Sequence, residues 1–170
     1  MTIRIKQFTV AVAIILLGAY LLPAYGEDSL GTYKALKPEV ALEVAQATMK
    51  ACREKGYQVS VAIVDRSGII QVMLRDELAG PHTLDAAHRK AWTAASFKGD
   101  TLSIAEATRP GSGQSGARFV SGAMMAAGGV PLYAEGTSVG AVGVSGAPRA
   151  EEDQKCADIG AEALEEIMLF

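Results

Sequence analysis

Both histidines and the single tryptophan of this 170-residue chain lie in one stretch, residues 81–97. One set of its side chains recurs at the spacing of a single helix face, which predicts an amphipathic helix packed on a core. That face comprises Leu84, Ala87, His88, Ala91 and Ala95. His88 therefore falls on the buried stripe. Thr83 is placed to cap the first turn, so His82 lies in the loop before the helix. Because imidazole nitrogens bind metal ions, these two rings are the strongest candidates for ligand chemistry.

The same stretch offers a second, weaker chemistry. His82, Asp85 and His88 form a His-x-x-Asp-x-x-His array that could hold a divalent metal. At about 100° per residue, the two rings lie roughly 120° apart around the helix axis, so one metal would bind both only if His82 moved in from its loop. Serine hydrolase chemistry is disfavoured, because Ser112 and Ser115 lie near glycines but outside the strand–turn–helix setting of a nucleophile elbow.

The elements that must position this stretch follow from periodicity and turn residues. Pro38 and Gly56 bound a first helix over residues 38–55. Alternating β-branched residues predict one strand pair over 58–65 and 69–75, and another over 129–133 and 139–145. A short helix over 101–108 separates the pairs, and a last helix begins near 151. This order predicts an α+β domain whose antiparallel sheet is covered on both faces. Glycines recur along the last strand, at positions 140 and 143, so a helix or a neighbouring subunit must approach it closely.

The first 26 residues have the features of a secretory signal peptide. Arg4 and Lys6 precede a mostly apolar run over residues 8–22, and Ala24-Tyr25-Gly26 matches a small-x-small cleavage site. A run of about fifteen residues is shorter than the roughly 20 needed to cross a bilayer. We therefore expect cleavage before Glu27, a single domain over residues 27–170, and a periplasmic or secreted protein with no membrane association once cleaved.

Charge and cysteine content limit the classes of partner that we expect and bear on the cellular compartment. The formal net charge is −3 and no basic cluster occurs, so we expect neither nucleic acid nor an anionic lipid surface as a partner. Cys52 and Cys156 each fall on the apolar stripe of a predicted helix. In an oxidising compartment they form either a disulfide between those helices or two buried free thiols. The sequence leaves that choice open.

Five motifs occur in order between about residues 36 and 167. They are Ala62-Ile63-Val64-Asp65-Arg66-Ser67-Gly68, Lys90-Ala91-Trp92-Thr93-Ala94, Arg109-Pro110-Gly111, Gly128-Gly129-Val130-Pro131-Leu132 and Gly140-Ala141-Val142-Gly143-Val144-Ser145-Gly146. Together they resemble the GlcG/HbpS-like haem-binding family, which includes the C-terminal domain of PduO-type corrinoid adenosyltransferases. The resemblance implies a profilin-like three-layer α/β/α fold with a five-stranded antiparallel sheet, although the pattern itself indicates four strands. It also implies a homo-oligomer.

The resemblance implies haem or a related tetrapyrrole as the ligand, but it assigns no iron ligand, because the ligands differ between members. By chemistry, we expect His82 in its loop to be the iron ligand, with His88 as the second candidate. A haem site also needs an apolar slot and cations near the propionates. The slot candidates are Met73, Phe119, Met124 and Met125, and the cations are Arg75, Arg89 and Lys90.

Two functions from different classes follow. The first is an exported, non-catalytic haem-binding protein that serves in haem handling or in redox or haem sensing. The second is an oxidative haem-degrading enzyme, or an accessory subunit of a small-metabolite pathway. No catalytic residue is assigned in either case, and we expect a homo-oligomer in both.

Overall fold

A computed structural model describes residues 30–169, and the predicted signal peptide lies outside these residues. The chain divides into two units, residues 1–33 and 34–170, and every element below belongs to the second. The helices are α1 (Pro38–Arg53), α2 (His82–Phe97), α3 (Thr101–Ala107) and α4 (Ala150–Met168), with a 3-10 helix at Ser115–Phe119. The strands are β1 (Ser60–Asp65), β2 (Ile70–Arg75), β3 (Gly129–Ala134) and β4 (Thr137–Ser145). None of the helices described has the length and apolarity to cross a membrane.

The four strands form one antiparallel sheet in the order β2-β1-β4-β3, so two hairpins meet along β1 and β4. Side chains alternate across the sheet, as the period of two requires. Val61, Ile63 and Val142 face a core shared with α1 and α4, whereas Ala62 and Ala141 face α2. The layers are therefore helices, sheet and helix, which confirms the predicted α+β architecture with an antiparallel sheet.

Small residues let α2 lie directly on the sheet. A methyl carbon added to Gly143 would stand 2.1 Å from the carbonyl oxygen of Ala87 and 2.6 Å from the amide nitrogen of Ala91. No side chain fits into that gap, so glycine is required by the close approach of two backbones. The close neighbour predicted for the last strand is thus a helix of the same chain.

The sheet has four strands among the described residues, and the expectation of five is wrong. Pro131 explains why the sheet ends at β3. The Gly129 amide points away from β4 and donates to Thr101 Oγ1 at 2.8 Å. Pro131, two residues on, has the same orientation and no amide hydrogen, so a further strand would find no donor there. The segment between the 3-10 helix and β3 adds no strand, because it forms turns, bends and irregular structure.

A disulfide joins the two helices of the larger core. The Cys52 and Cys156 sulfurs are 2.11 Å apart, their Cα atoms are 5.6 Å apart, and the bond spans 104 residues of sequence. Both cysteines are fully buried between α1 and α4. Next to the bond, a methyl carbon at Gly160 would stand 2.1 Å from Thr48 Oγ1, so α1 and α4 touch along small residues. Of the two alternatives for these cysteines, the structure has the bonded form.

Candidate functional site

Helix α2 begins at His82, one residue before the predicted cap. The Thr83 hydroxyl does not cap the helix, because it donates to the Gly80 carbonyl at 2.6 Å and pairs with Ser60 Oγ at 2.7 Å. Thr83 is buried and fastens the helix start to β1. His82 is consequently the first helical residue and not a loop residue as predicted.

A cleft of about 420 Å³ opens beside this helix start, within the ~300–1,000 Å³ typical of small-molecule sites. It is lined by residues 56–58, 78–80, 82–83 and 145–148, together with Asp153, and we call it the His82 cleft. Leu78 contributes an apolar side chain that is 79% exposed. The His82 side chain is also exposed, and neither of its ring nitrogens hydrogen-bonds to a residue between 30 and 169.

Asp153, the buried lining residue of the His82 cleft, belongs to an ion pair with Lys90. Lys90 Nζ donates to Asp153 Oδ2 at 2.7 Å and to the Val144 carbonyl at 2.9 Å. The other carboxylate oxygen, Oδ1, accepts from the Ala147 amide at 2.9 Å. Burial raises the pKa of the Asp153 carboxyl, and the Lys90 ammonium opposes that rise. The pair ties α2 to the end of β4 and to the start of α4, so it shapes the cleft.

Lys90 was expected among the cations that meet a haem propionate, and the structure places it elsewhere. Only 4% of Lys90 is exposed, and its ammonium is engaged by Asp153. Asp153 was not among the predicted site residues, because its acidic neighbours indicated only a favourable first turn of the helix. The helical spacing does indicate that Asp153 is buried. It lies three residues before Cys156 and seven before Gly160, on the buried stripe of α4.

His88 is half-buried and lies away from the His82 cleft. Its Nε2 is 3.3 Å from the Gly68 carbonyl in the turn between β1 and β2. Arg89 donates to the carbonyls of Gly122 and Ala123, so this side of α2 is bound to neighbouring loops. The contacts of His88 are therefore those of a packing residue, and His88 is a weaker candidate for binding a ligand than His82.

The remaining candidates are dispersed. Arg75 lies near the cleft, because its guanidinium donates to the carbonyl of Ala79, a lining residue. Met73 packs on the alanine cluster beneath α2. Phe119, in the 3-10 helix, is 89% exposed and lines neither the cleft nor the core. The structure thus places Arg75 beside the cleft that His82 lines, whereas Met73 and Phe119 are not among the lining residues.

The His-x-x-Asp-x-x-His array does not assemble. Within residues 30–169, no group of three or more His, Cys, Asp or Glu side chains is placed to hold a metal ion. The Asp85 carboxylate faces Arg89 instead, at 3.7 Å. An iron held by a single imidazole and a porphyrin needs no such cluster.

Comparison with known proteins agrees with this architecture. The family model described as haem degrading protein HbpS-like matches residues 36–162. An uncharacterised 15.0 kDa protein from the dhaT–dhaS intergenic region of Citrobacter freundii is 30% identical over 129 residues, 75% of this chain and 90% of that protein.

Solved structures give the same result. A crystal structure of Streptomyces reticuli HbpS, a double mutant, has a TM-score of 0.76 and 36% identity over 84% of this chain and 96% of that one. The crystal structure of a PduOC–haem complex has a TM-score of 0.70 and 26% identity over 76% of this chain and 95% of that one. With its fold, its motifs and most of its length matched, the chain belongs to the HbpS-like family.

Proposed function

We propose that this protein is exported and binds haem or a related tetrapyrrole, with His82 as the iron ligand and no catalytic role of its own. The observation that carries the proposal is the exposed His82 imidazole beside a cleft, with both nitrogens unengaged among the described residues. A 26% identical protein whose structure is a haem complex supports the choice of ligand.

The residues present fit a haem group. A haem bound here supplies an iron that accepts a nitrogen ligand, an apolar macrocycle and two carboxylates. His82 offers the nitrogen, and the exposed Leu78 with Tyr57 offers apolar surface in the same cleft. Arg75 carries an exposed cation next to the cleft, suited to a carboxylate.

Titration of the purified protein with hemin tests the proposal, with H88A as the matched control for H82A. We expect a Soret shift in the wild type and in H88A, and an affinity lower by at least about tenfold in H82A. The two histidines lie on one helix, and only His82 faces the cleft. An H82A variant that binds hemin as the wild type does would exclude His82 as the ligand.

Haem degradation is the second candidate, favoured by the description of the matching family. Incubating the haem complex with a reductant and oxygen separates the two functions. If the Soret band persists throughout the incubation, the protein binds haem without degrading it. Bleaching that depends on His82, and exceeds that of hemin alone, supports degradation.

We further propose export with cleavage before Glu27. The buried Cys52–Cys156 disulfide supports it, because such bonds persist in oxidising compartments and are rare in the cytosol. The signal-like composition of residues 1–26 is the second support. N-terminal sequencing of the protein recovered from the periplasm or the medium should begin at Glu27, and an intact Met1 terminus would contradict the proposal.

A further inference from the structure

Gly80, two residues before His82, lies directly against the imidazole ring. A methyl carbon added to Gly80 would stand 2.6 Å from Cε1 and 2.9 Å from Nδ1 of His82, closer than carbon atoms approach in folded proteins. The same carbon would be 3.7 Å from Nε2, an ordinary contact. The Cε1–Nδ1 edge of the ring therefore rests on the backbone, and Nε2 is the nitrogen farther from it.

The backbone itself gives no reason for glycine at this position. Gly80 is absent from the glycines with positive φ, which include Gly68 and Gly128, so an alanine would adopt its conformation without strain. Its surroundings supply the reason, since the atoms within 4 Å that come nearest to an added methyl all belong to the His82 ring. The missing side chain thus leaves space for one imidazole.

We infer that Gly80 is a positioning residue for His82, and that it holds the ring so that Nε2 is the nitrogen presented to a ligand. The inference rests on the proposed function, because it specifies how the same cleft offers its iron ligand. A ring already held in one orientation loses less rotamer freedom on binding than a ring that turns freely.

The variant that tests this inference is G80A. Its clash is with an exposed side chain that can rotate, so the fold should persist while the ring swings away from Gly80. Gly113 provides the matched control, since it has no positive φ and an added methyl meets nothing within 4 Å. We expect G80A and G113A to keep the far-UV circular dichroism and the thermal midpoint of the wild type.

A haem-free measurement tests the ring position by itself. In the wild type, NMR should show a nuclear Overhauser contact between His82 Hε1 and the Gly80 α-protons, and long-range ¹H–¹⁵N spectra should distinguish Nδ1 from Nε2. The contact should be lost in G80A and kept in G113A. Its absence from the wild type would overturn the inference without use of any variant.

Hemin titration gives the second measurement. We expect G80A to lose about tenfold in affinity and to show an altered Soret position, with G113A unchanged. If H82A binds as the wild type does, the proposed ligand is wrong while the NMR contact still decides the role of Gly80. If H82A loses binding but G80A keeps both the wild-type spectrum and affinity, the positioning role is wrong and the ligand stands.

Discussion

Asp153 illustrates how one residue can shape the His82 cleft while being almost closed to solvent. Only 4% of it is exposed, yet it lines the cleft and accepts hydrogen bonds from the Lys90 ammonium and the Ala147 amide. A buried carboxylate is tolerated only when it is paired and hydrogen-bonded. The stability of the pair therefore depends on both members being present.

Removal of Lys90 alone should be costly. We expect K90M to lower the free energy of unfolding by ~3–5 kcal/mol, because it leaves the Asp153 carboxylate buried without a cation. K90M/D153N should recover most of this loss, since asparagine carries no charge and its oxygen can still accept from Ala147. Urea unfolding of the three proteins measures both effects, and equal stability of K90M and the wild type would contradict them.

The same variants report on the protonation of Asp153. Burial raises the folded-state pKa of this carboxyl above its ordinary 3.8, so the folded protein binds the proton more tightly than the unfolded chain. The carboxyl's contribution to stability is then largest below pH 3.8 and falls as pH rises through the folded-state pKa. We expect the unfolding free energy of the wild type minus that of K90M/D153N to decrease over this window. An increase in this difference would show that the Lys90 ammonium lowers the pKa of Asp153 more than burial raises it.

At the scale of elements, the layer of α1 and α4 is joined covalently as well as by packing. The disulfide closes a loop of 104 residues that contains the whole sheet and α2. We expect C52A/C156A to lose ~2–5 kcal/mol of unfolding free energy, because the unfolded chain regains the freedom of that loop. Thermal unfolding of the oxidised wild type and the double variant measures the change, and matching midpoints would refute it.

The elements show which parts of the fold were predictable. Alternation and turn residues located all four strands, and helical spacing located α1, α2 and α4, because these local periods record which face is buried. The start of α2 was missed, because Ser60 engages the Thr83 hydroxyl across the fold. Lys90 was predicted to meet a haem propionate, because a sequence does not show that its ammonium pairs with a carboxylate 63 residues away.

The cleft itself was beyond sequence reasoning. Its lining residues are spread between residues 56 and 153, and only the folded chain brings them together. His82 was a candidate from its residue type alone, and His88 was one for the same reason. Only the contacts of each ring distinguish them, since His88 meets a carbonyl in the β1–β2 turn and His82 meets Gly80 and the cleft.

At the scale of the molecule, we propose assembly into a homo-oligomer. The glycines of β4 no longer support it, because Gly143 lies against α2 of the same chain and Gly140 lies against the Val64 carbonyl of β1. The proposal now rests on the family resemblance and on large apolar side chains left at the surface, among them Phe119 and Ile69, which are 89% and 65% exposed. Light scattering coupled to size exclusion should give a mass that is a multiple of the monomer, and a monomer at all concentrations would contradict this.

The proline in β3 has a consequence for how such copies can meet. An open sheet edge is a template for fibril-like growth, in which strands of successive molecules add by main-chain pairing. At this edge, Pro131 offers no donor and the Gly129 amide is already taken by Thr101. The chain therefore resists edge-to-edge aggregation through β3 even at high protein concentration.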